Sequence, residues 1–275
     1  MSTDRVERHA APSLWLPCRT LWSREIVRFL RQRSRVLGAM GTPPVFWILA
    51  GSGLNRSFVP AGAKASMSYL QYSFPGVLAA ILMFTAVFST ISVIDDRREG
   101  FLQSVLVAPG SRASIVLGKV LGATTLAVGQ ALIFLLLAPL MGIPLGIRSF
   151  PATFAAMTLI SFSLTSLGFW IAWRMESTQG FHAIMNLVLM PMLFLSGAFF
   201  PAAGAAKWLA WVMLFNPMTH GVSLMRTAMY LDGGGGPVAE GIGWLPALGI
   251  SVGFAVLMFV ASIRAVTRES ARVLQ

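Results

Sequence analysis

Charge is what this sequence is short of. Asp, Glu, Lys and Arg make up 11% of its 275 residues, against about 25% in an ordinary soluble domain. Six long stretches, at 36–54, 69–94, 120–141, 152–173, 181–203 and 245–263, contain none of the four. Such stretches hold no carboxylate for a proton relay or for acid–base chemistry. A single cysteine, Cys18, excludes an internal disulfide and leaves a free thiol. The three histidines, His9, His182 and His220, stand far apart with no carboxylate or cysteine spacing around them, which argues against a metal site. A G-x-x-x-x-G-K-[ST] loop is also missing. The one Gly-Lys pair, Gly118-Lys119, is followed by Val120 and lacks the upstream glycine, so the chain has nothing to cradle the phosphates of ATP.

What is present is apolar, at 56% of residues. At 1.5 Å per residue, helices over the six stretches reach roughly 28 to 39 Å, against a hydrocarbon core of about 30 Å. The expectation is an all-α membrane protein: residues 1–35 form a basic arm, and 36–275 form one domain of six transmembrane helices. Pro43-Pro44 in the first stretch and Pro75 in the second each remove backbone donors and predict a kink or break.

The net charge of +11 reads, in this setting, as attraction to anionic lipid head groups and not to nucleic acid. With six crossings both termini share a side. That side collects sixteen of the 21 Lys and Arg residues, eight of them in the first 35 positions. The bias toward basic residues on the inner face predicts cytoplasmic termini. No uncharged run followed by a small-residue cleavage site precedes the arm, so it does not read as a secretory signal.

Within the arm, Trp22, Ile26, Phe29 and Leu30 fall on one helical face, and Arg24, Arg28, Arg31 and Arg35 on the other. This pattern predicts a helix lying along the membrane surface, with Arg33 snorkelling from the apolar side. Lys119, at the start of the third stretch, is expected to snorkel as well. Gly118 and Gly122, like Gly249 and Gly253, have the small-xxx-small spacing that permits close helix approach.

Two connections carry patterns of their own. The loop from Asp95 to Arg112 opens with five charges, continues with Leu102, Val105 and Leu106 at i, i+3, i+4, and stops at Pro109-Gly110. A short amphipathic helix there needs a cover for its apolar face. Packing against the protein's own helices and docking on a soluble partner both meet that need. The second connection, Pro201 to Trp244, holds Trp208, Trp211, Val212 and Phe215 on one helical face, then Asn216-Pro217, then Leu224, Met225, Ala228 and Met229 on another, before Gly233–Gly236. Neither segment is long enough to span, and they predict two short helices capping the bundle from outside.

Arg98-Glu99-Gly100-Phe101-Leu102, Val107-Ala108-Pro109-Gly110-Ser111-Arg112 and Leu117-Gly118-Lys119 form one set of markers. Ser196-Gly197-Ala198-Phe199-Phe200-Pro201, Trp208, Asn216-Pro217-Met218-Thr219-His220 and Arg226 form another. In this order across six stretches, they resemble the permease subunits of type-2 ATP-binding-cassette exporters, the group that handles drugs, polysaccharides and nodulation factors. The resemblance covers nearly the whole chain. It implies a half-transporter that pairs with a second permease copy, identical or closely related, and binds two copies of a separate ATPase carrying ATP-Mg. It also implies that Arg97, Arg98, Glu99, Gly100, Phe101, Leu102, Val105 and Leu106 form a coupling helix docking on that ATPase, with the Trp22–Arg35 helix as a second contact. The family often has Thr-Leu-Glu after the loop glycine. Phe101-Leu102-Gln103 stands there instead, and the lost acid would alter which ATPase is accepted.

Phe84, Phe88, Asn186, Met192 and Phe199 are candidates to line a path for an amphipathic, glycolipid or drug-like solute, with ordinary helix packing as the alternative for the apolar four. Two other functions compete. An intramembrane serine hydrolase would need Ser196 and His220 to act as nucleophile and base, yet no G-x-S-x-G elbow frames the serine. A passive channel or scaffold would need pore-lining polar rings, and the stretches offer mainly Ser, Thr and Asn186.

Overall fold

A computed structural model describes residues 15–31, 33–54, 68–107, 111–199, 206–232 and 242–273, with the side chains of 33–40, 103, 106–107 and 269–273 outside that description. Among the described residues every regular element is helical. The order is α1 (Trp15–Arg31), α2 (Arg33–Leu54), α3 (Tyr69–Ser89), α4 (Ile91–Arg98), α5 (Phe101–Val107), α6 (Arg112–Leu135), α7 (Ser149–Ala172), α8 (Thr178–Phe194), α9 (Lys207–Phe215), α10 (Pro217–Met229) and α11 (Trp244–Val273). Also outside the description are His9, Pro109-Gly110, Pro201 and Gly233–Gly236, so the expectations for them and for the Arg33 side chain are not addressed below.

Four helices among the described residues are long and apolar enough to cross a membrane. They are Tyr69–Arg98, running through a one-residue break at Thr90, Arg112–Leu135, Ser149–Ala172, and Trp244–Arg268 within α11. The chain is therefore a multi-pass all-α membrane protein. The sequence reading of six such helices is wider than this set, since α2 and α8 fall outside it.

The first of these helices is the axis of the bundle. α3 is buried on nearly all sides, against α2, α6, α7 and α10. Such a helix is apolar all round because no face meets solvent. At its start Ser68 and Gln71 form a capping box: the Ser68 hydroxyl accepts from the Gln71 N–H and the Gln71 side chain accepts from the Ser68 N–H. The Gln71 amide also donates to the Met141 carbonyl at 2.8 Å, which ties α3 to the 3-10 turn Pro139–Met141 after α6. The break at Thr90 lies where Gly168 of α7 packs. A Cβ added at Gly168 would stand 2.9 Å from the Thr90 hydroxyl oxygen.

Several boundaries differ from the apolar runs. The third run, 120–141, predicts a helix later than the one observed. α6 begins at Arg112, where Ser111 accepts from the Ser114 N–H as its cap, and carries Lys119 inside it. The fifth run, 181–203, is interrupted. α8 ends at Phe194, the Ser196 hydroxyl turns back to the Leu193 carbonyl, and Gly197 takes a left-handed φ of 73°. Pro43-Pro44 and Pro75 lie within α2 and α3 without breaking either helix. Neighbouring helices in a bundle commonly make such interruptions tolerable.

α8 and α11 each bury a narrow stripe. On α8 it is Phe181, Met185, Leu189 and Leu193, spaced by four. On α11, Ser251, Ala255, Ser262 and Val266 face inward, while Leu245, Val252, Val256 and Leu257 are exposed. Large apolar side chains pointing away from the protein are what lipid-facing helices carry.

Candidate functional site: the charged end of the bundle

The far end of the α3–α4 helix gathers the protein's ionic groups. Lys119 of α6 is almost fully buried, 3% exposed, and its Nζ donates to Asp96 Oδ2 at 2.5 Å and Glu25 Oε1 at 2.7 Å. Asp96 is itself buried at the end of α4 and receives Arg24 through two hydrogen bonds of 2.9 and 2.7 Å and Arg28 through one of 2.6 Å. Arg28 reaches Asp95 at 3.3 Å and Glu99 at 3.8 Å. The two bonds from Arg24 form a planar fork on one carboxylate, the strongest ion-pair geometry available to a side chain, and they push the Arg24 pKa further up. Three elements distant in sequence, α1, α4 and α6, are thereby tied at one point.

This arrangement corrects one expectation. Lys119 does not snorkel to a surface. It is drawn inward because Glu25 and Asp96 supply two acceptors where its own helix offers none. The face that α1 turns to the protein is a separate one from the apolar face read from sequence, which is expected to meet the membrane. The buried stripe is Cys18, Leu21, Glu25 and Phe29. Of the expected set only Phe29 belongs to it; Trp22 and Ile26 are half-buried and Leu30 is exposed. The helix rolls so that Glu25 meets Lys119, which leaves Val27 and Leu30 pointing away from the protein. Arg31 is exposed, and the Arg35 side chain lies outside the described residues. Burial pushes the Cys18 thiol pKa up, the condition of an unreactive thiol.

The close approach of α1 depends on Gly118 and Gly122. A Cβ on Gly118 would lie 2.7 Å from the Cys18 carbonyl oxygen, and one on Gly122 would lie 2.7 Å from the Glu25 Cβ. Gly249 and Gly253, with the same spacing, have nothing within 4 Å.

α5 hangs from this cluster. Gly100 adopts φ of 73°, which turns the chain out of α4, and its N–H donates to the Arg97 carbonyl at 3.2 Å. Phe101 lies beneath the Arg24 guanidinium, 3.8 Å from carbon to ring centroid. Leu102 is buried in the core, whereas Val105 is half-buried and Arg98 and Glu99 are exposed. The Leu106 side chain lies outside the described residues. Arg97 donates to the Trp173 carbonyl and stacks over the Trp173 ring, and Arg98 donates to the Glu176 carbonyl at 3.0 Å, so the turn after α7 is clamped to the same segment. Of the two covers open to the loop's apolar stripe, Leu102 uses the protein's own core.

The other candidate residues lie elsewhere. Phe84 and Phe88 stack along α3 at 5.9 Å, and Phe88 meets the His182 ring at 4.9 Å. Asn186 is exposed on α8, and Met192 is half-buried there with its carbonyl accepting from Asn216. Phe199 is buried edge-on against Phe46. Ser196 and His220 are not bonded to each other. The serine donates to the Leu193 carbonyl and the His220 Nε2 pairs with the Leu214 carbonyl at 2.8 Å. No nucleophile–base pair exists there, and the hydrolase reading fails on geometry.

At the opposite end, Asn216 caps α10 through the Met218 N–H while Pro217 takes its first turn, and Asp232 accepts from the Ser149 N–H at 2.8 Å and the Arg148 N–H at 3.1 Å. Asp232 thus supplies the cap that Arg148 leaves open at the start of α7.

Residues 17–230 match the ABC-2 type transporter family. The chain belongs to that family. Nodulation protein J of Sinorhizobium fredii is 28% identical over 266 residues, covering 94% of this chain and 95% of that protein. The inner membrane transport permease YhhJ of Escherichia coli is 28% identical over 166 residues, 58% of this chain and 44% of its own length. The ycf38 protein of Cyanophora paradoxa is 26% identical over 185 residues, covering 66% and 64%. The matched part thus spans less than two thirds of two of these relatives and nearly all of the third. The ABC-2 chain is an integral membrane transport permease and not itself an enzyme.

The ionic cluster was the part of the candidate site that sequence reasoning missed. A signal was there to read: Glu25 is the one acidic residue between Arg19 and Arg35. In the fold that carboxylate meets both its neighbour Arg24 and Lys119 of α6.

Proposed function

We propose that the protein is the membrane subunit of an ATP-driven exporter, working as a pair of permease copies with two copies of a separate ATPase. The observation that carries this reading is the α4–α5 corner: the left-handed Gly100 turns α5 out of the α3–α4 helix, and Arg98 and Glu99 stand exposed beside the turn. Phe101 holds the start of α5 under the Arg24 guanidinium, and the end of α4 is fastened to α1 and α6 through Arg24, Arg28, Asp96 and Lys119. A push on α5 is delivered through this corner to the end of α4, which the ion pairs hold to α1 and α6. Family membership supports the same reading, as does the absence of a phosphate loop in the sequence. Gly118-Lys119 is consumed in helix packing and ion pairing.

In this scheme α2 and α8 complete six crossings. α2 has 22 residues and α8 has 17, about 33 and 26 Å of helix. Both termini and α5 face the cytoplasm of the cell membrane, and α9 and α10 face outward. Closure of the ATPases on ATP drives the Arg97–Leu106 segment, which rotates α2, α3 and α8 against those of the second copy. An amphipathic, glycolipid or drug-like cargo then passes alongside Phe84, Phe88, Asn186, Met192 and Phe199.

The test is purification from the native membrane, identification of the ATPase that accompanies the chain, and transport in vesicles with and without it. Cargo movement that requires both the companion and ATP is the expected result. Movement in vesicles holding this chain alone would point to a channel and overturn the proposal.

A further inference from the structure

Arg226 sits at the end of the bundle opposite the ionic cluster, near the start of α3, and is 3% exposed. One Nη donates to the Gly197 carbonyl at 3.0 Å, and the guanidinium lies 4.3 Å over the Tyr72 ring. Its Nε has no partner, and among the described residues no carboxylate pairs with it. One turn earlier on the same face of α10, Ser223 is 6% exposed and its hydroxyl is also unpartnered. A buried cation without a counter-charge and a buried hydroxyl without a partner are each unfavourable unless something comes to meet them.

Both side chains line the same cavity of about 200 Å³ beneath α9. A water occupies about 30 Å³ of the liquid, so the space admits a group larger than one solvent molecule. Its other polar walls have already spent their protons: Thr219 donates to the Leu195 carbonyl at 3.1 Å and Ser196 to the Leu193 carbonyl at 2.5 Å. Among the described residues no acidic side chain lines the cavity, and Met213, Leu214 and Val222 make its remaining walls apolar. A site with a positive fork, one free hydroxyl and no carboxylate among its described walls selects an oxyanion over a cation or a neutral donor.

We propose that this cavity is a subsite for the oxyanion head group, phosphate ester or carboxylate, of an amphiphile, with Arg226 as its charge partner and Ser223 as a second donor. The apolar walls take the first carbons of the attached chain. As a station for exported cargo the subsite rests on the permease reading, but as a binding site it is measured without any ATPase.

The experiment uses the full chain in nanodiscs of neutral phosphatidylcholine, titrated calorimetrically at constant ionic strength. Three probes are compared: dihexanoyl phosphatidic acid, inorganic phosphate against chloride, and uncharged dihexanoylglycerol. Saturable binding of an anionic probe, with dihexanoylglycerol at least tenfold weaker, is the expected result. A response to inorganic phosphate alone assigns a free anion, and a response only to the lipid-borne phosphate assigns a head group; both uphold the oxyanion site. Arg226→Gln is expected to weaken binding tenfold or more, and Ser223→Ala about tenfold. The serine variant keeps the test open if the arginine variant does not fold. Equal binding of the neutral probe, no saturable anion binding, or unchanged affinity in Ser223→Ala would overturn the proposal. A failure of the permease reading would appear separately, as cargo movement in vesicles that hold this chain without an ATPase, with oxyanion binding unchanged.

Discussion

Asp96 and Lys119, 23 positions apart, meet at 2.5 Å in the interior, and Glu25 of α1 closes on the same ammonium from the other side. Removing one member of a buried ionic group leaves the rest uncompensated, typically at a cost of about 3–5 kcal/mol, whereas removing matched members together costs far less. Lys119→Met is therefore expected to destabilise the protein by about that amount. The paired change Lys119→Met with Glu25→Met should recover part of the loss, because Asp96 keeps Arg24 and Arg28. Thermal unfolding in detergent reads both. A double variant no more stable than the single one would mean that the ammonium is not what holds Glu25 inside.

The two small-xxx-small pairs make opposite predictions. At Gly118 the added methyl collides with backbone, the Cys18 carbonyl at 2.7 Å, and backbone does not yield as a side-chain tip does. Gly118→Ala is expected to cost about 1–3 kcal/mol through displacement of α1. Gly249→Ala and Gly253→Ala meet open space and gain helix propensity, so they should be neutral or stabilising by up to about 1 kcal/mol. The same unfolding measurement decides. A large loss at Gly253 would show that a further surface covers α11.

Those glycines mark the limit of what the sequence discloses. Spacing alone cannot separate Gly118/Gly122 from Gly249/Gly253, since the partner that makes a glycine necessary is named only in three dimensions. Long uncharged runs did disclose the helices 69–94, 152–173 and 245–263 to within a few residues at most ends, because burial in lipid or in the bundle leaves the same composition. It failed at Lys119, where a helix continues through a charge that tertiary pairing neutralises. It failed again at Ser196-Gly197, where an apolar run continues after the helix has turned aside. The apolar periodicity of α1 does not disclose the face it turns to the protein, because that face is centred on Glu25, whose partner Lys119 comes from another helix.

Phe101 and Leu102 are adjacent and should separate docking from packing. Leu102 is 3% exposed, and Leu102→Ala is expected to lose about 2–5 kcal/mol of stability. Phe101 is half-buried and its main partner is Arg24, a cation–π contact of about 0.5–1 kcal/mol at such sites. Phe101→Asp should therefore leave the fold near its original stability while ATPase-dependent transport falls at least tenfold. Co-purification of the ATPase with each variant, alongside its unfolding temperature, provides the check. If Phe101→Asp retains its companion and its transport, α5 is a packing element and not the docking surface.

Asp232 carries a pH dependence that can be isolated. The Ser149 N–H donating to its carboxylate, joined by that of Arg148, holds its pKa below the ordinary value in the folded protein. A carboxylate depressed in this way stabilises the fold at pH above its unfolded value of about 3.9, and the contribution disappears as pH falls through the folded value. The stability difference between the native chain and Asp232→Asn should thus be greatest near neutrality and shrink steadily below about pH 4. Taking the difference cancels the other carboxylates, whose titration is common to both chains. The negative charge also faces the positive end of α7, where the amide retains an acceptor but loses the attraction to the helix dipole. Unfolding followed from pH 7 to pH 3 measures the curve. A difference that stays constant across that range would mean that the cap acts through hydrogen bonds alone, with the charge of Asp232 contributing nothing.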